Sequence, residues 1–85
     1  MKLQQELIPL QKKLATILPQ IKEHAEHLKV KQDYKNFETR LAWDCLRAVT
    51  SSGEICGWYE KYSCNDEHIG TLAKNALKAV YPVKD

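Results

Sequence analysis

The chain has 85 residues, of which 44% are hydrophobic and 28% are charged. These proportions are those of an ordinary globular protein and exclude disordered, collagen-like and low-complexity classes. Thirteen Lys and Arg against eleven Asp and Glu give a formal net charge of +2, which is far from the concentrated basicity typical of nucleic-acid-binding proteins. One domain over residues 1–85 fits this length, and the limited surface that it can bury favours an oligomer.

The sequence contains no apolar run of the roughly 18 residues that a membrane span needs, and polar residues interrupt its start, so no signal peptide is predicted. Its cysteines, Cys45, Cys56 and Cys64, are odd in number, which argues against a disulfide framework. We therefore expect a cytoplasmic protein with reduced thiols.

The scarcity of glycine and proline and the lack of alternating strand patterns predict an all-α fold of three to four helices. The first is a long amphipathic helix over residues 1–30, in which Leu or Ile recurs at the four-and-three intervals of a coiled coil. We call its six apolar positions the seam: Leu3, Leu7, Leu10, Leu14, Ile17 and Ile21. Pro9 and Pro19 lie off the seam, where each either kinks the helix or occupies the first turn of a new one.

A seam of this length exceeds what the rest of such a small chain is expected to cover. We therefore expect it to meet the same seam of a second copy, in a dimer or a tetrameric helical bundle. The alternative is that the seam packs only against later helices of its own chain.

A second helix is predicted over residues 33–50, with Asp33 as its N-cap. Its broad apolar band indicates burial between neighbouring helices, but Trp43 lies off that band. Trp and Arg are enriched at the energetic centres of protein interfaces, so the expected partner-binding residues are Trp43, Arg40, Arg47 and Trp58. The alternative is a Trp43 side chain packed beneath the first helix.

A helical hairpin is predicted over residues 54–81. Gly53 is expected to end the second helix in the left-handed conformation, and Ser63 to begin the last helix in a capping box with Asp66. The exposed face of that helix carries residue types that contact phosphates and base edges: His68, Thr71, Lys74, Asn75 and Lys78. The hairpin could thus be a helix-turn-helix, although the carboxylates of Asp66 and Glu67 would repel phosphate at its entering end.

Four potential zinc ligands occur in the second half of the chain: Cys45, Cys56, Cys64 and His68. Cys64 and His68 share one helical face, but the short paired spacing of a zinc knuckle is missing. Buried thiols are the favoured interpretation, and neither a metal nor a cofactor is predicted.

The sequence has no nucleophile motif and no Gly-rich phosphate loop, so an enzyme is the least supported class. The prediction is a non-catalytic, self-associating helical protein that binds and modulates another protein, as inhibitors, antirepressors and adaptors do. The alternative is a dimeric helix-turn-helix DNA-binding regulator that uses residues 54–81.

Overall fold

The computed structural model describes residues 3–30 and 36–82. Within these ranges there are five α-helices, no strand, and a short 3₁₀ turn at Leu3–Glu6. The helices are α1 (Leu7–Thr16), α2 (Leu18–Val30), α3 (Phe37–Val49), α4 (Ser52–Lys61) and α5 (Asp66–Val80). The all-α class is thus confirmed, whereas the expected count of three to four helices is too low because the first predicted helix is divided in two.

The division falls at Ile17. Its N–H donates to the Leu14 carbonyl at 3.1 Å, which is the tighter three-residue spacing of a helix end. Pro19 is the second residue of α2, where its missing N–H removes no hydrogen bond within the helix. Pro9 lies in the first turn of α1 in the same way. Both prolines therefore follow the second of the two interpretations, in which proline begins a helix.

The seam is internal to the single chain. Leu10, Leu14 and Ile21 expose 2% of their surface or less, Leu3 is buried, and the remaining two seam residues pack against the same core. α1 packs on α5 and α3, and α2 packs on α3. The expectation that the rest of the chain could not cover the seam is therefore wrong. The break between α1 and α2 lets both helices pack on later helices of the same chain.

α3 and α5 run antiparallel at the centre of the fold. Near one end, Lys78 Nζ lies 2.9 Å from Glu38 Oε1, and further along Trp43 of α3 faces Gly70 of α5. Both helices bury leucines completely, such as Leu46 on α3. This pair forms the platform on which α1 and α2 pack.

α4 begins at Ser52, two residues before the predicted start of the hairpin at residue 54, and its N-cap is Ser51. The Ser51 hydroxyl accepts a hydrogen bond from the Glu54 N–H at 3.1 Å, and Gly53 lies inside the first turn of α4. No glycine in the described ranges has a positive φ. The expectation that Gly53 ends the preceding helix is therefore wrong, since Thr50 leaves α3 in an extended conformation.

α5 also begins later than predicted. Asn65 Oδ1 accepts from the His68 N–H at 3.0 Å, and His68 Nδ1 accepts from the Asn65 N–H at 3.2 Å, so these two residues form the capping box. Ser63 instead lies in the connecting turn with a φ of 50°. The predicted cap at Ser63 is two residues too early. The predicted cap of the second helix, Asp33, lies outside the described residues.

α4 is held against the body by long-range contacts. Trp58 is buried, Tyr62 donates its hydroxyl proton to Glu6 Oε1 at 2.6 Å, and Lys13 Nζ lies 3.3 Å from Glu54 Oε1. None of the helices in the described ranges is both long and apolar enough to cross a membrane.

Candidate partner-binding surface

Trp43 lies partly exposed on α3, with its indole ring against α5. A Cβ atom at Gly70 would lie 3.2 Å from the indole Nε1, so only a residue without a side chain lets the ring approach α5 this closely. The guanidinium of Arg47 also lies over the ring, with its Cζ atom 5.5 Å from the ring centroid. This distance is within the roughly 6 Å range of a cation–π contact.

The indole thus contacts both α5 and a guanidinium group of its own chain. Arg47 itself is exposed and makes no ion pair with any residue that the structure describes. A side chain ordered in advance loses less conformational entropy when it binds. We call Trp43, Arg47 and Gly70 the Trp43 surface; the predicted Arg40 is exposed one turn away on α3.

A cleft adjoins the Trp43 surface where α3 meets α4. It has a volume of about 280 Å³ and is lined by Arg47, Thr50, Ser52, Ile55 and Cys56. Ile55 is half-buried and supplies apolar surface, and the Thr50 hydroxyl donates to the Leu46 carbonyl at 2.5 Å. Arg47 lines this α3–α4 cleft and also contacts the indole, so the cleft adjoins the Trp43 surface.

Trp58, the fourth predicted partner-binding residue, is in the core. It exposes 6% of its surface, and its carbonyl accepts a hydrogen bond from the Cys64 thiol at 3.3 Å. An aromatic residue on the buried face of α4 belongs to the core and not to the binding surface. Trp58 is therefore not part of the candidate partner-binding surface.

A second arrangement, between α2 and α3, was missed from the sequence. His24 Nε2 lies 2.7 Å from Asp44 Oδ2, and both line a cleft of about 230 Å³ together with Cys45. Burial raises the pKa of the Cys45 thiol to about 11, and the negative charge of Asp44 adds to the rise. Since the thiolate and not the thiol is the nucleophile, this environment disfavours nucleophilic chemistry at Cys45.

The residues predicted for DNA contact have other partners or positions. His68 belongs to the α5 cap, Lys78 is paired with Glu38, and Lys74 is half-buried. Thr71 and Asn75 line a cleft of about 310 Å³ between α5 and the N-terminal turn. The exposed side of α5 is thus partly occupied by contacts within the chain.

The four potential zinc ligands are not brought together. Across the described ranges, no three His, Cys, Asp or Glu side chains are placed to share a metal ion. Cys45 and Cys64 are buried and Cys56 is exposed.

Comparisons of this chain with known protein families, with curated proteins and with solved structures found no match.

Proposed function

We propose that this chain is a non-catalytic helical protein that binds another protein and modulates it through the Trp43 surface. The observation that carries the proposal is the half-exposed indole of Trp43, which packs against Gly70 of α5 and lies 5.5 Å from the guanidinium carbon of Arg47. Tryptophan and arginine supply a disproportionate share of the binding energy at protein interfaces.

A half-exposed indole keeps part of a large apolar surface in water, and burying it beneath a partner releases that water. The guanidinium of Arg47 adds donors in a fixed planar arrangement that matches carboxylates and carbonyls. The chain would modulate its partner by occlusion, because it would cover the part of the partner's surface that it binds.

The test is quantitative affinity capture from the source cells with wild-type protein and two charge-reversal variants. We expect a partner that wild type and K22E enrich equally and that R47E loses. Lys22 is an exposed lysine on α2, so K22E carries the same change of charge away from the Trp43 surface. Equal enrichment by all three proteins would contradict the proposal, provided that their thermal unfolding agrees.

The alternative, a helix-turn-helix regulator that reads DNA with α5, has less support. Lys78 is neutralised by Glu38 at 2.9 Å, and Asp66 and Glu67 stand in the first turn of α5, where they would face phosphates. Titration of a mixed duplex at low salt tests it directly. Saturable binding that is lost in a K74E variant would favour the DNA-binding function over the one proposed.

A further inference from the structure

We infer that the cleft between α5 and the N-terminal turn binds a small uncharged molecule, a single ring that carries an amide group. We call it the α5 cleft. Neither Trp43 nor Arg47 lines it, so the site is separate from the Trp43 surface and the inference does not depend on the proposed function. It is carried by the composition of the lining and by the hydrogen bonds that its polar groups already make.

Two segments of the chain line the α5 cleft. One face of α5 contributes residues at the i, i+3, i+4 and i+7 spacing: His68, Thr71, Leu72 and Asn75. The remaining lining residues are Leu3 and Gln4 of the 3₁₀ turn and Leu7 at the start of α1. The volume of about 310 Å³ lies at the lower end of the roughly 300 to 1,000 Å³ that is usual for small-molecule sites. A compound of one ring suits this volume.

The α5 cleft is apolar at its base and polar at its rim. Leu3 and Leu72 are buried and form the base. The exposed members of the lining are all polar: Gln4, Thr71 and Asn75. An apolar base with a few polar groups that fix orientation is the usual composition of a small-molecule site.

His68 supplies a hydrogen-bond donor without a charge. Its Nδ1 accepts from the Asn65 N–H at 3.2 Å, so Nδ1 carries no proton and the proton of the ring is on Nε2. The Nε2–H group has no hydrogen-bond partner among the described residues. What the imidazole offers to a ligand is therefore a single N–H donor.

The other polar groups of the rim complete a neutral set of donors and acceptors. The Thr71 hydroxyl donates to the Glu67 carbonyl at 3.0 Å, so its oxygen is left as an acceptor. The carboxamides of Gln4 and Asn75 each have a carbonyl acceptor and an NH₂ donor. A ligand amide has an acceptor and a donor side by side, and it matches this set.

The α5 cleft has no charged lining residue within residues 3–30 and 36–82. Every charged residue of α5 and of the 3₁₀ turn lies outside the lining: Glu6, Asp66, Glu67, Lys74 and Lys78. A charged ligand would lose part of its hydration here without gaining an opposite charge. The lining therefore favours an uncharged ligand.

The experiment is an NMR titration of the isotopically labelled full chain with three probes of nearly the same shape. Benzamide is uncharged, benzoate is its anionic counterpart and benzamidinium is its cationic counterpart. We expect benzamide to shift saturably the side-chain amide signals of Gln4 and Asn75 and the backbone signal of Thr71, and to leave the indole signal of Trp43 unchanged. The two charged probes should bind about fivefold more weakly than benzamide, or not at all.

Two matched pairs of variants test the contacts. Q4E places a carboxylate in the lining, and Q5E makes the same change at the next residue, which is exposed and outside the lining. Q4E should weaken benzamide binding about threefold, and Q5E should leave it unchanged. T71V removes the hydroxyl acceptor and should have an effect of similar size, whereas T39V, at an exposed position of α3, should have none.

Three results would overturn the inference. These are the absence of a saturable benzamide shift at the named residues, equal or tighter binding of a charged probe, and a benzamide affinity that both Q4E and T71V leave unchanged. The nitrogen signals of His68 give an independent check, since they should show a protonated Nε2 and an unprotonated Nδ1 at neutral pH. The opposite tautomer would remove the donor and contradict the site.

Discussion

The Nε2 atom of His24 lies 2.7 Å from Oδ2 of Asp44, and this contact joins α2 to α3. The side chains expose 37% and 33% of their surface, so solvent screens the interaction in part. His24 continues the spacing of the seam three residues beyond Ile21, and the sequence gives no indication of a partner for it in the second helix. The contact arises because α2 packs on α3.

The His24–Asp44 contact should contribute a coupling free energy of about 1 kcal/mol to unfolding, the upper range for a partly exposed pair. A double-mutant cycle with H24A and D44A, followed by urea unfolding, measures it. The matched control is the i, i+3 pair of Glu26 and Lys29, whose charged atoms are 4.0 Å apart. Its coupling should be at most a few tenths of a kcal/mol; equal couplings would show that the α2–α3 contact is not formed as described.

Replacing Gly70 with alanine should move the indole of Trp43. A Cβ at this position would lie 3.2 Å from Nε1, so the gain in helix propensity of about 1 kcal/mol is offset by displacement of the ring. G57A is the matched control, because nothing lies within 4 Å of a Cβ there. We expect G57A to raise the free energy of unfolding by about 0.5 to 1 kcal/mol and G70A to raise it less, with a shifted Trp43 indole signal. Equal gains in the free energy of unfolding for G57A and G70A, without a shift of the indole signal, would contradict the packing of Trp43 on Gly70.

The cap of α5 should depend on Asn65 and not on Ser63. N65A removes the acceptor of the His68 N–H and should lower the free energy of unfolding by about 1 kcal/mol. S63G should raise it by a few tenths of a kcal/mol, because Ser63 has a φ of 50°, which glycine adopts without strain. Chemical denaturation of both variants checks this. A greater loss of stability in S63G than in N65A would indicate that Ser63, the residue predicted from the sequence, is the N-cap of α5.

Cys45 should make the protein less stable at high pH. Its pKa is raised from 9.0 in the unfolded chain to about 11 in the fold, so the native state retains the proton while the unfolded state loses it. The stability is therefore fully present below pH 9 and declines until about pH 11, by roughly 2 kcal/mol. The free energy of unfolding of C45A, measured in urea across this pH range, should not show this part of the decline. C56A, which replaces an exposed thiol, should keep it; identical pH profiles for C45A and wild type would contradict the assignment.

Seam residues should act as core residues of one chain. L14A should lower the free energy of unfolding by about 2 to 5 kcal/mol, because Leu14 is 1% exposed. The control is I8A, in which a residue 63% exposed is truncated on the same helix and should change stability little. The denaturation midpoint of wild type should not depend on protein concentration. A midpoint that rises with concentration would mean that a second chain covers the seam.

The fold class and most helical segments follow from the sequence because the apolar spacing of each helix is a local property. The broad apolar band predicted for the second helix corresponds to the buried face of α3. Local spacing could not reveal that the seam is covered by α3 and α5, because the direction taken after the break at Ile17 depends on tertiary packing. Pro19 marked the possible break, but proline alone does not choose between a kink and a new helix.

The candidate surface was only partly predictable. Trp43 stood out because it lies off the apolar band of its helix, and Arg47 because it follows by one turn. The role of Gly70 could not be found, since it depends on the antiparallel register of α3 and α5. Trp58 was misassigned because residue type alone does not separate an interface aromatic from a core aromatic.

The most direct test of the central claim is hydrogen exchange of the chain, free and bound to the partner that affinity capture identifies. We predict that binding slows exchange in the C-terminal half of α3, in the first turns of α4 and around Gly70 of α5, the segments that carry the Trp43 surface and the α3–α4 cleft. Protection confined to α1 and α2, with these segments unchanged, would contradict the claim.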